Sequence, residues 1–320
     1  MFRTLELTHR MNLYTPEFKG KWRLLSLLET IVFSKKFGFS LKTNFGFKFH
    51  VDNSYALRQY VNSCEKVLSL TLIRLLKELQ FSRVAFIDVG ANRGWYSLLA
   101  ASFPNTSVYA FEPQKSLVGL IQNNAAMNDA NHRIEVFNVA LASNSGVRKF
   151  RLSHNQNDGL AGLETPFALG KSIEIEISTL DSALLPKVIT SDFEEVILKL
   201  DCEGSEFEIV KGGTEFIRRF RPVISCEVNS TLLESTSMIS GHTFVQTMML
   251  MDYQVYYLST KHNRLEYPYR NGSLIHEKEF GSSHSGNYLF VPKESNIDWE
   301  LLKYGTSNIF PGWIRKLRRN

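Results

Sequence analysis

Short apolar runs alternate with amphipathic segments through the middle of the chain. The apolar runs at 84–88, 107–111 and 134–139 predict buried strands, and the segments near 95–102 and 115–128 have the periodicity of helices. Alternation of strands and helices is typical of a parallel sheet that helices cover on both faces. The pattern therefore predicts an α/β fold with a mostly parallel sheet.

Between residues 144 and 178 the pattern changes. Ile173, Ile175 and Ile177 alternate with polar residues, which predicts a half-exposed strand, and we interpret this region as a β insertion beside a ligand crevice. The buried sheet then resumes with a strand at 195–200, and a helix follows from about 205. Its further strands are predicted at 195–200, 222–227, 255–258 and 287–291, of which the last two form an antiparallel edge.

The N-terminal part of the chain has a different character. Apolar residues between 22 and 32 fit one face of a helix, and Phe45, Phe47 and Phe49 alternate with other residues as in a strand or one arm of a hairpin. We therefore divide the chain into three parts, an N-terminal cap at 1–65, a main α/β domain at 66–294 and a basic C-terminal tail at 295–320.

Composition narrows the class of protein. The 320 residues are 43% hydrophobic and 22% charged, and the formal net charge is +5. Basic residues do not form a stripe interleaved with aromatic ones, so we do not expect nucleic-acid binding. The three cysteines have no C-x-x-C spacing, which argues against a disulfide framework or a cysteine zinc site. We find neither a signal peptide nor a membrane span, and we expect a cytoplasmic protein.

The densest chemical signal follows the first predicted strand of the α/β region. Residues 88–94 read Asp-Val-Gly-Ala-Asn-Arg-Gly, and a helix follows. Glycine permits a sharp turn, and the free N–H groups at the start of a helix face a bound ligand. The next strand ends at Glu112, about 20 residues on, where a nucleotide-binding fold holds ribose hydroxyls. The spacing predicts a cofactor that contains adenosine.

The kind of cofactor depends on what the loop lacks. The dinucleotide fingerprint G-x-G-x-x-G is absent, because Gly90 and Gly94 are separated by three residues. An acid at Asp88 would repel a pyrophosphate, whereas it suits the cationic amino-acid end of S-adenosylmethionine. We therefore favour S-adenosylmethionine over a nicotinamide dinucleotide, and an ordinary strand-turn-helix without a ligand is the remaining alternative.

Several segments, in order, resemble the FkbM-type family of S-adenosylmethionine-dependent methyltransferases. They are IDVGANRGWYS at 87–97, AFEP at 110–113, NVAL at 138–141, TLD at 179–181, KLDCEGSE at 199–206, KG at 211–212, RP at 221–222 and NYLFVP at 287–292. The resemblance implies a class I methyltransferase (Rossmann-like) sheet of seven strands, and transfer to a hydroxyl oxygen of a secondary metabolite or a glycan. Cys202 and the stretch 158–163 depart from the family pattern.

We assign the predicted cofactor contacts by their place in this pattern. Gly90 and Gly94 shape the loop, Asp88 and Asn92 hold the methionine end directly or through water, and Glu112 takes both ribose hydroxyls. For Glu112 the alternative is an acid that only favours the start of a helix. The adenine ring is expected at the end of the third strand, where a plain strand end is the alternative, at Asn138, Val139 and Ala140.

The best candidates for catalysis are acids at later strand ends. An alcohol becomes a good nucleophile when a carboxylate accepts its proton, and we expect Asp201 or Glu203 to be that base. Glu227 and Asn229, after the following strand, are expected to orient the acceptor. Glu206 begins a helix, so a capping role is an equally good interpretation for it.

The sequence contains two further candidate sites, each with an alternative interpretation. Asp201, Glu203 and Glu227 could bind a divalent metal such as magnesium, but the spacing is not diagnostic and we do not favour a metal. His154 lies in the predicted insertion loop, where it contacts substrate or is a solvated loop residue.

These observations favour an O-methyltransferase that acts on a small-molecule or glycan acceptor. A nicotinamide-dependent oxidoreductase is a second possibility, against which the glycine spacing and Asp88 argue. A third is a non-catalytic nucleotide-binding module that uses the β insertion to hold a partner. The sequence does not identify the acceptor or the oligomeric state.

Overall fold

The computed structural model describes residues 39–43, 45–52, 56, 66–153, 161–163, 170–259, 264–266, 268–280 and 285–297. The chain forms two compact units, one of residues 1–66 with 310–320 and one of residues 67–309. The helix predicted between 22 and 32, His154 and the end of the basic tail lie outside the described residues.

In the first unit, two short strands form an antiparallel hairpin. They are β1 (Phe39–Lys42) and β2 (Lys48–Val51). Phe45 was expected within a strand, but it lies in the turn, because the chain reverses at Gly46 with φ +97°. From Phe47 the predicted alternation holds, and Phe47, Phe49 and Val51 are buried.

The second unit contains a mixed sheet of eight strands. In spatial order they are β13 (Arg264–Glu266), β12 (Tyr253–Ser259), β16 (Ser285–Pro292), β11 (Val223–Asn229), β10 (Glu195–Leu200), β3 (Val84–Val89), β4 (Thr106–Phe111) and β5 (Ile134–Phe137). The five strands from β11 to β5 are parallel. Their carboxyl ends therefore meet at one edge of the sheet, which is where we expect a ligand.

The far side of this sheet differs from the sequence prediction. β16 is antiparallel to both β11 and β12, so β12 runs in the same direction as the parallel strands. The prediction of an antiparallel edge made of two strands was therefore right for β16 alone. The short strand β13, which pairs with β12, makes eight strands where the family resemblance implied seven.

Helices cover this sheet, and the side chains of its central strands are buried. All six residues of β3 are buried, which explains why its sequence is an uninterrupted apolar run up to an acid. The helices are α1 (Lys66–Glu78), α2 (Trp95–Ala101), α3 (Lys115–Ala126), α4 (Leu180–Ile189), α5 (Glu206–Gly212), α6 (Thr214–Phe220), α7 (Ser230–Ser237), α8 (Gly241–Leu250) and α9 (Ile275–Phe280). In the described part of the chain, none of these helices has the length and apolarity needed to cross a bilayer.

The predicted β insertion is a separate sheet of four strands. Its order is β6 (Ala140–Leu141), β9 (Ser172–Ser178), β7 (Gly146–Arg151) and β8 (Gly162–Leu163). In β9, Ile175 and Ile177 are buried while Glu174 and Glu176 are exposed, as the alternation predicted. A small hairpin of β14 (Tyr269–Arg270) and β15 (Ser273–Leu274) precedes α9.

Candidate active site

The loop after β3 turns sharply at Gly90, where φ is +74°. A Cβ atom at Gly90 would lie 2.0 Å from the backbone oxygen of Asp201, so only glycine fits at this position. The N–H groups of Gly90 and Ala91 both donate to the carbonyl of Phe111, at 3.1 and 3.0 Å. The loop is therefore held between the carboxyl ends of β4 and β10, the two neighbours of β3.

The second predicted glycine ends the same loop. Gly94 has φ +79° and directly precedes α2. Its N–H donates to the carbonyl of Ala91 at 2.7 Å, and a Cβ atom would lie 3.1 Å from the side chain of Ile121. The two glycines thus shape one tight loop between the first strand of the parallel set and its helix.

The Glu112 carboxylate is fixed between this loop and the end of β4. One oxygen accepts the N–H of Asn92 at 2.9 Å, and the other accepts the N–H of Gln114 at 2.8 Å. Asn92 itself has φ +51°, and its side-chain oxygen is buried without a hydrogen-bond partner among the described residues. A buried polar atom with no partner is expensive unless a ligand or water supplies one.

Asp88 has different partners from those we expected. Its side chain is fully buried, one oxygen accepts the Ser97 hydroxyl at 2.6 Å, and the other lies 3.4 Å from the ammonium of Lys199. These contacts hold β3, β10 and the start of α2 together. The contact of Asp88 with the methionine end of the cofactor, directly or through water, stays a prediction.

The two residues expected near adenine lie in different places. The exposed Asn138 donates from its side-chain amide to the carbonyls of Glu112 and Pro113, at 3.1 and 2.8 Å, so it borders the end of β4. Ala140 is not at the end of the third strand as predicted, because β5 ends at Phe137 and Ala140 pairs with Ile177 in the β insertion.

Three of the predicted acids lie together at the carboxyl edge of the sheet. Asp201 follows β10, Glu227 belongs to β11, and Glu203 occupies the turn between β10 and α5 with φ +52°. Each offers one ligand atom, and these three atoms lie within 4.8 Å of one another. Acidic clusters of this kind are common without a metal, so metal binding stays a prediction that we do not favour.

The three acids differ in their protonation. Burial raises the pKa of Asp201, but the charge of Lys199 and a hydrogen bond with Glu227 outweigh burial, and the pKa lies below its ordinary value. Burial and the charge of Asp201 hold the pKa of Glu227 well above its usual range. Burial, followed by repulsion from Asp201 and Glu206, raises the pKa of Glu203 to about 9. These shifts favour the ionised form of Asp201 and the protonated forms of Glu203 and Glu227.

Glu206 stabilises the loop that carries these acids. Its carboxylate accepts the N–H of Cys202 at 2.7 Å, at the start of α5. Burial raises the pKa of Glu206 to about 7 and the pKa of the Cys202 thiol well above its usual value. The bond to Cys202 stabilises the turn before α5, but it is not the capping box that the sequence left open, because the N-cap residue Ser205 makes no side-chain cap hydrogen bond. The raised pKa keeps the Cys202 thiol protonated.

Of the two residues predicted to contact substrate, Asn229 lies among the described residues and has a local structural role. The side-chain oxygen of Asn229 accepts the N–H of Leu232 at 3.2 Å, so it caps α7. Asparagine directly before a helix commonly has this role. The side chain that we expected to orient the methyl acceptor therefore uses its oxygen to cap α7. His154 lies outside the described residues.

Lys199 belongs to the site although our sequence reasoning did not select it. It lies in β10, and its side chain is 3% exposed, with its ammonium 3.3 Å from a carboxylate oxygen of Asp201. The signal was a single lysine inside the apolar run at 195–200, since a buried strand rarely contains an ammonium without a partner.

Other segments of the family-like pattern have structural roles. The Asp181 carboxylate accepts the N–H groups of Glu215 and Phe216, at 3.2 and 2.7 Å, and so caps α6. Arg221 donates to the carbonyls of Met251 and Asp252, both at 3.0 Å. These contacts connect α4 to α6 and the end of α6 to the turn before β12, and they are not part of the acidic cluster.

Comparison with known proteins gives one family and several distant relatives. The methyltransferase FkbM domain matches residues 88–258, which is just over half of the 320-residue chain. The methyltransferase sdnD of Sordaria araneosa is 23% identical over 155 residues, which cover 40% of this chain and 60% of that protein. The chain thus spans less than two thirds of the length of this curated relative.

Two solved structures are among those that match this chain. A precorrin-6y C5,15-methyltransferase from Geobacter metallireducens has a TM-score of 0.36 and 13% identity, over 69% of this chain and 87% of that chain. A cofactor-bound protein from MTB has a TM-score of 0.41 and 13% identity, over 73% of this chain and 82% of that chain.

Proposed function

Because this chain belongs to the FkbM family of S-adenosylmethionine-dependent methyltransferases, we propose that it methylates a hydroxyl oxygen of a glycan or a secondary metabolite. The observation that carries this proposal is the cluster of Asp201, Glu203 and Glu227 at the edge of the sheet, where one ligand atom of each lies within 4.8 Å of the others. Neither a nicotinamide oxidoreductase nor a non-catalytic module is favoured, because the family is one of methyltransferases.

The glycine loop fits the cofactor that the family implies. Gly90 and Gly94, both with positive φ, let the loop turn tightly after β3, and the buried oxygen of Asn92 has no partner among the described residues. That oxygen can accept a hydrogen bond from an ammonium group, which the methionine end of the cofactor carries. Glu112, oriented by two backbone N–H groups, is placed to accept ribose hydroxyls.

Asn138 and the end of β5 are the proposed adenine side of the crevice. Asn138 lies beside Glu112, since its amide donates to the Glu112 carbonyl at 3.1 Å. We no longer include Ala140 in this group, because it belongs to the other sheet. Asp88 is proposed to act indirectly, since it is fully buried beneath the loop.

Bound S-adenosylmethionine supplies an electrophilic methyl group, and the protein must make the acceptor oxygen nucleophilic. Asp201 is the proposed base, because it is the ionised member of the cluster and its side chain is 38% exposed. The raised pKa values of Glu203 and Glu227 favour their protonated forms, whose O–H groups can donate hydrogen bonds that orient the acceptor. General-base catalysis of this kind is worth about 10²–10⁴-fold in rate.

The proposal is tested with S-adenosylmethionine that carries a labelled methyl group and a panel of glycans and polyketide-like alcohols. Wild-type protein should label at least one acceptor, and the label should resist mild alkali, because methyl ethers survive conditions that hydrolyse methyl esters. Asp201→Asn should lower turnover by about 10²–10⁴-fold. Its affinity for S-adenosylhomocysteine, measured by calorimetry, should stay within about threefold, a change of less than about 1 kcal/mol.

Asp252→Asn is the matched control for this experiment. Asp252 is exposed and pairs with Lys293 at 2.9 Å, and it precedes β12 at the opposite edge of the sheet. Its variant should keep wild-type turnover. Full turnover in Asp201→Asn, or a label found on nitrogen or in alkali-labile esters, would contradict the proposed chemistry.

A further inference from the structure

We propose that Lys199 is a positioning residue that orients the Asp201 carboxylate and connects it to the glycine loop after β3. This inference rests on the proposed role of Asp201 as the proton acceptor. Lys199 lies directly opposite Asp88 in the register of β10 and β3. Asp201 follows two residues later, and residues two apart along a strand point to the same face, so one ammonium can reach both carboxylates.

The distances agree with this placement. The Lys199 ammonium lies 3.4 Å from an oxygen of Asp88, 3.3 Å from an oxygen of Asp201 and 3.4 Å from the Gly90 carbonyl. It also lies 4.9 Å from the centroid of the Tyr96 ring, within the range of a cation–π contact. The buried ammonium of Lys199 thus contacts β3, the glycine loop, α2 and the proposed base Asp201.

The charges around Lys199 show that its contact with Asp201 is not needed to neutralise the buried ammonium. Lys199 is 3% exposed, and a buried ammonium needs an opposite charge. Asp88, which is fully buried, supplies that charge, and its other oxygen accepts a hydrogen bond from the Ser97 hydroxyl. The ion pair therefore needs no second carboxylate for neutrality. The contact with the partly exposed Asp201 adds stabilisation to the charged form of that side chain.

The surroundings of Asp201 otherwise oppose its ionisation. The titratable groups that interact with it are Lys199, Cys202, Glu203, Glu206, Cys226 and Glu227. Lys199 is the cation of this set, and the others are acids. An opposite charge within about 4–6 Å lowers a carboxyl pKa by about 1–3 units, so removal of this ammonium should change the titration of Asp201 measurably.

The experiment follows Asp201 by NMR in full-length protein with carbon-13 at the aspartate carboxyl carbons. The Asp201 signal is assigned as the one that Asp201→Asn removes. In wild-type protein it should titrate below about 3.9, the value of an unperturbed aspartate. In the double variant Lys199→Met/Asp88→Asn, which removes both members of the buried pair and so leaves no uncompensated charge, the midpoint should rise by at least about one unit.

Two further variants keep the test decisive. Lys199→Arg retains the charge, and the Asp201 signal should stay in its ionised position. Lys293→Met removes an exposed lysine that pairs with Asp252, and it should leave the Asp201 titration unchanged. A wild-type midpoint above about 5, or equal midpoints in wild type and the double variant, would overturn the inference. Because this readout needs no acceptor, its failure is distinct from a failure of methyl transfer.

Discussion

Gly90→Ala tests whether the loop geometry is as tight as the structure shows. The new Cβ atom would lie 2.0 Å from the backbone oxygen of Asp201, far inside van der Waals contact, and backbone cannot rotate away as a side chain can. Gly90 also has φ +74°, which costs an L-residue about 1–2 kcal/mol. Strain and clash together should lower the free energy of unfolding by about 3 kcal/mol or more.

The assay compares urea unfolding and S-adenosylhomocysteine affinity for three glycine variants. Gly94 also has a positive φ, +79°, but a Cβ atom there would meet only the side chain of Ile121, at 3.1 Å. Gly94→Ala should therefore lose less stability and less affinity than Gly90→Ala. Gly119→Ala lies in α3 with nothing within 4 Å of the new atom, and it should be neutral or stabilising by up to about 1 kcal/mol. If Gly90→Ala matched Gly119→Ala in stability and affinity, the close packing of the loop on Asp201 would be refuted.

Two further predictions concern stability. Folding raises the pKa of Glu203 from 4.5 to about 9, so between these values the folded state binds more protons, and the free energy of unfolding falls as pH rises. Glu203→Gln removes this loss. Between pH 5 and pH 8.5 the free energy of unfolding of the variant should therefore rise relative to that of wild type by about 1–2 kcal/mol, a value reduced because Glu203 is partly exposed. If urea unfolding showed a difference between the two proteins that does not change with pH, this prediction would be contradicted. Asp181→Ala removes the acceptor of two N–H groups at Glu215 and Phe216, and thermal and urea unfolding should show a loss of about 1–2 kcal/mol. Glu234→Ala, at an exposed position of α7, should change stability by less than about 0.5 kcal/mol, and an equal effect of the two variants would exclude the cap.

The sequence allowed much of the sheet to be predicted, because its central strands are parallel and buried on both faces. The apolar run before Asp88 became β3, and the run before Asp201 became its neighbour β10. Carboxyl ends of parallel strands meet at one edge, so the proximity of Asp201 and Glu227 also followed from the pattern. The short strand β13 has three residues, too few to show a period.

The roles of single polar residues were harder to predict, since each has a competing local use. Asn229 directly precedes a helix, and its oxygen caps that helix. Asp88 was expected to contact the ligand because an acid suits a cationic group, and the sequence did not show that the register of two strands places the cation of Lys199 opposite it. That register depends on how strands distant in sequence pair, and no local pattern specifies it. The same pairing explains why Lys199 escaped sequence reasoning.

Binding of the cofactor at the glycine loop is the central claim, and calorimetry with Glu112→Gln tests it most directly. Glu112 accepts N–H groups at Asn92 and Gln114 through both carboxylate oxygens. Wild-type protein should bind S-adenosylhomocysteine and not NAD, and the variant should bind S-adenosylhomocysteine about 1–3 kcal/mol more weakly, because one oxygen and the negative charge are lost. Unchanged affinity in the variant, or binding of NAD alone by wild type, would contradict the account.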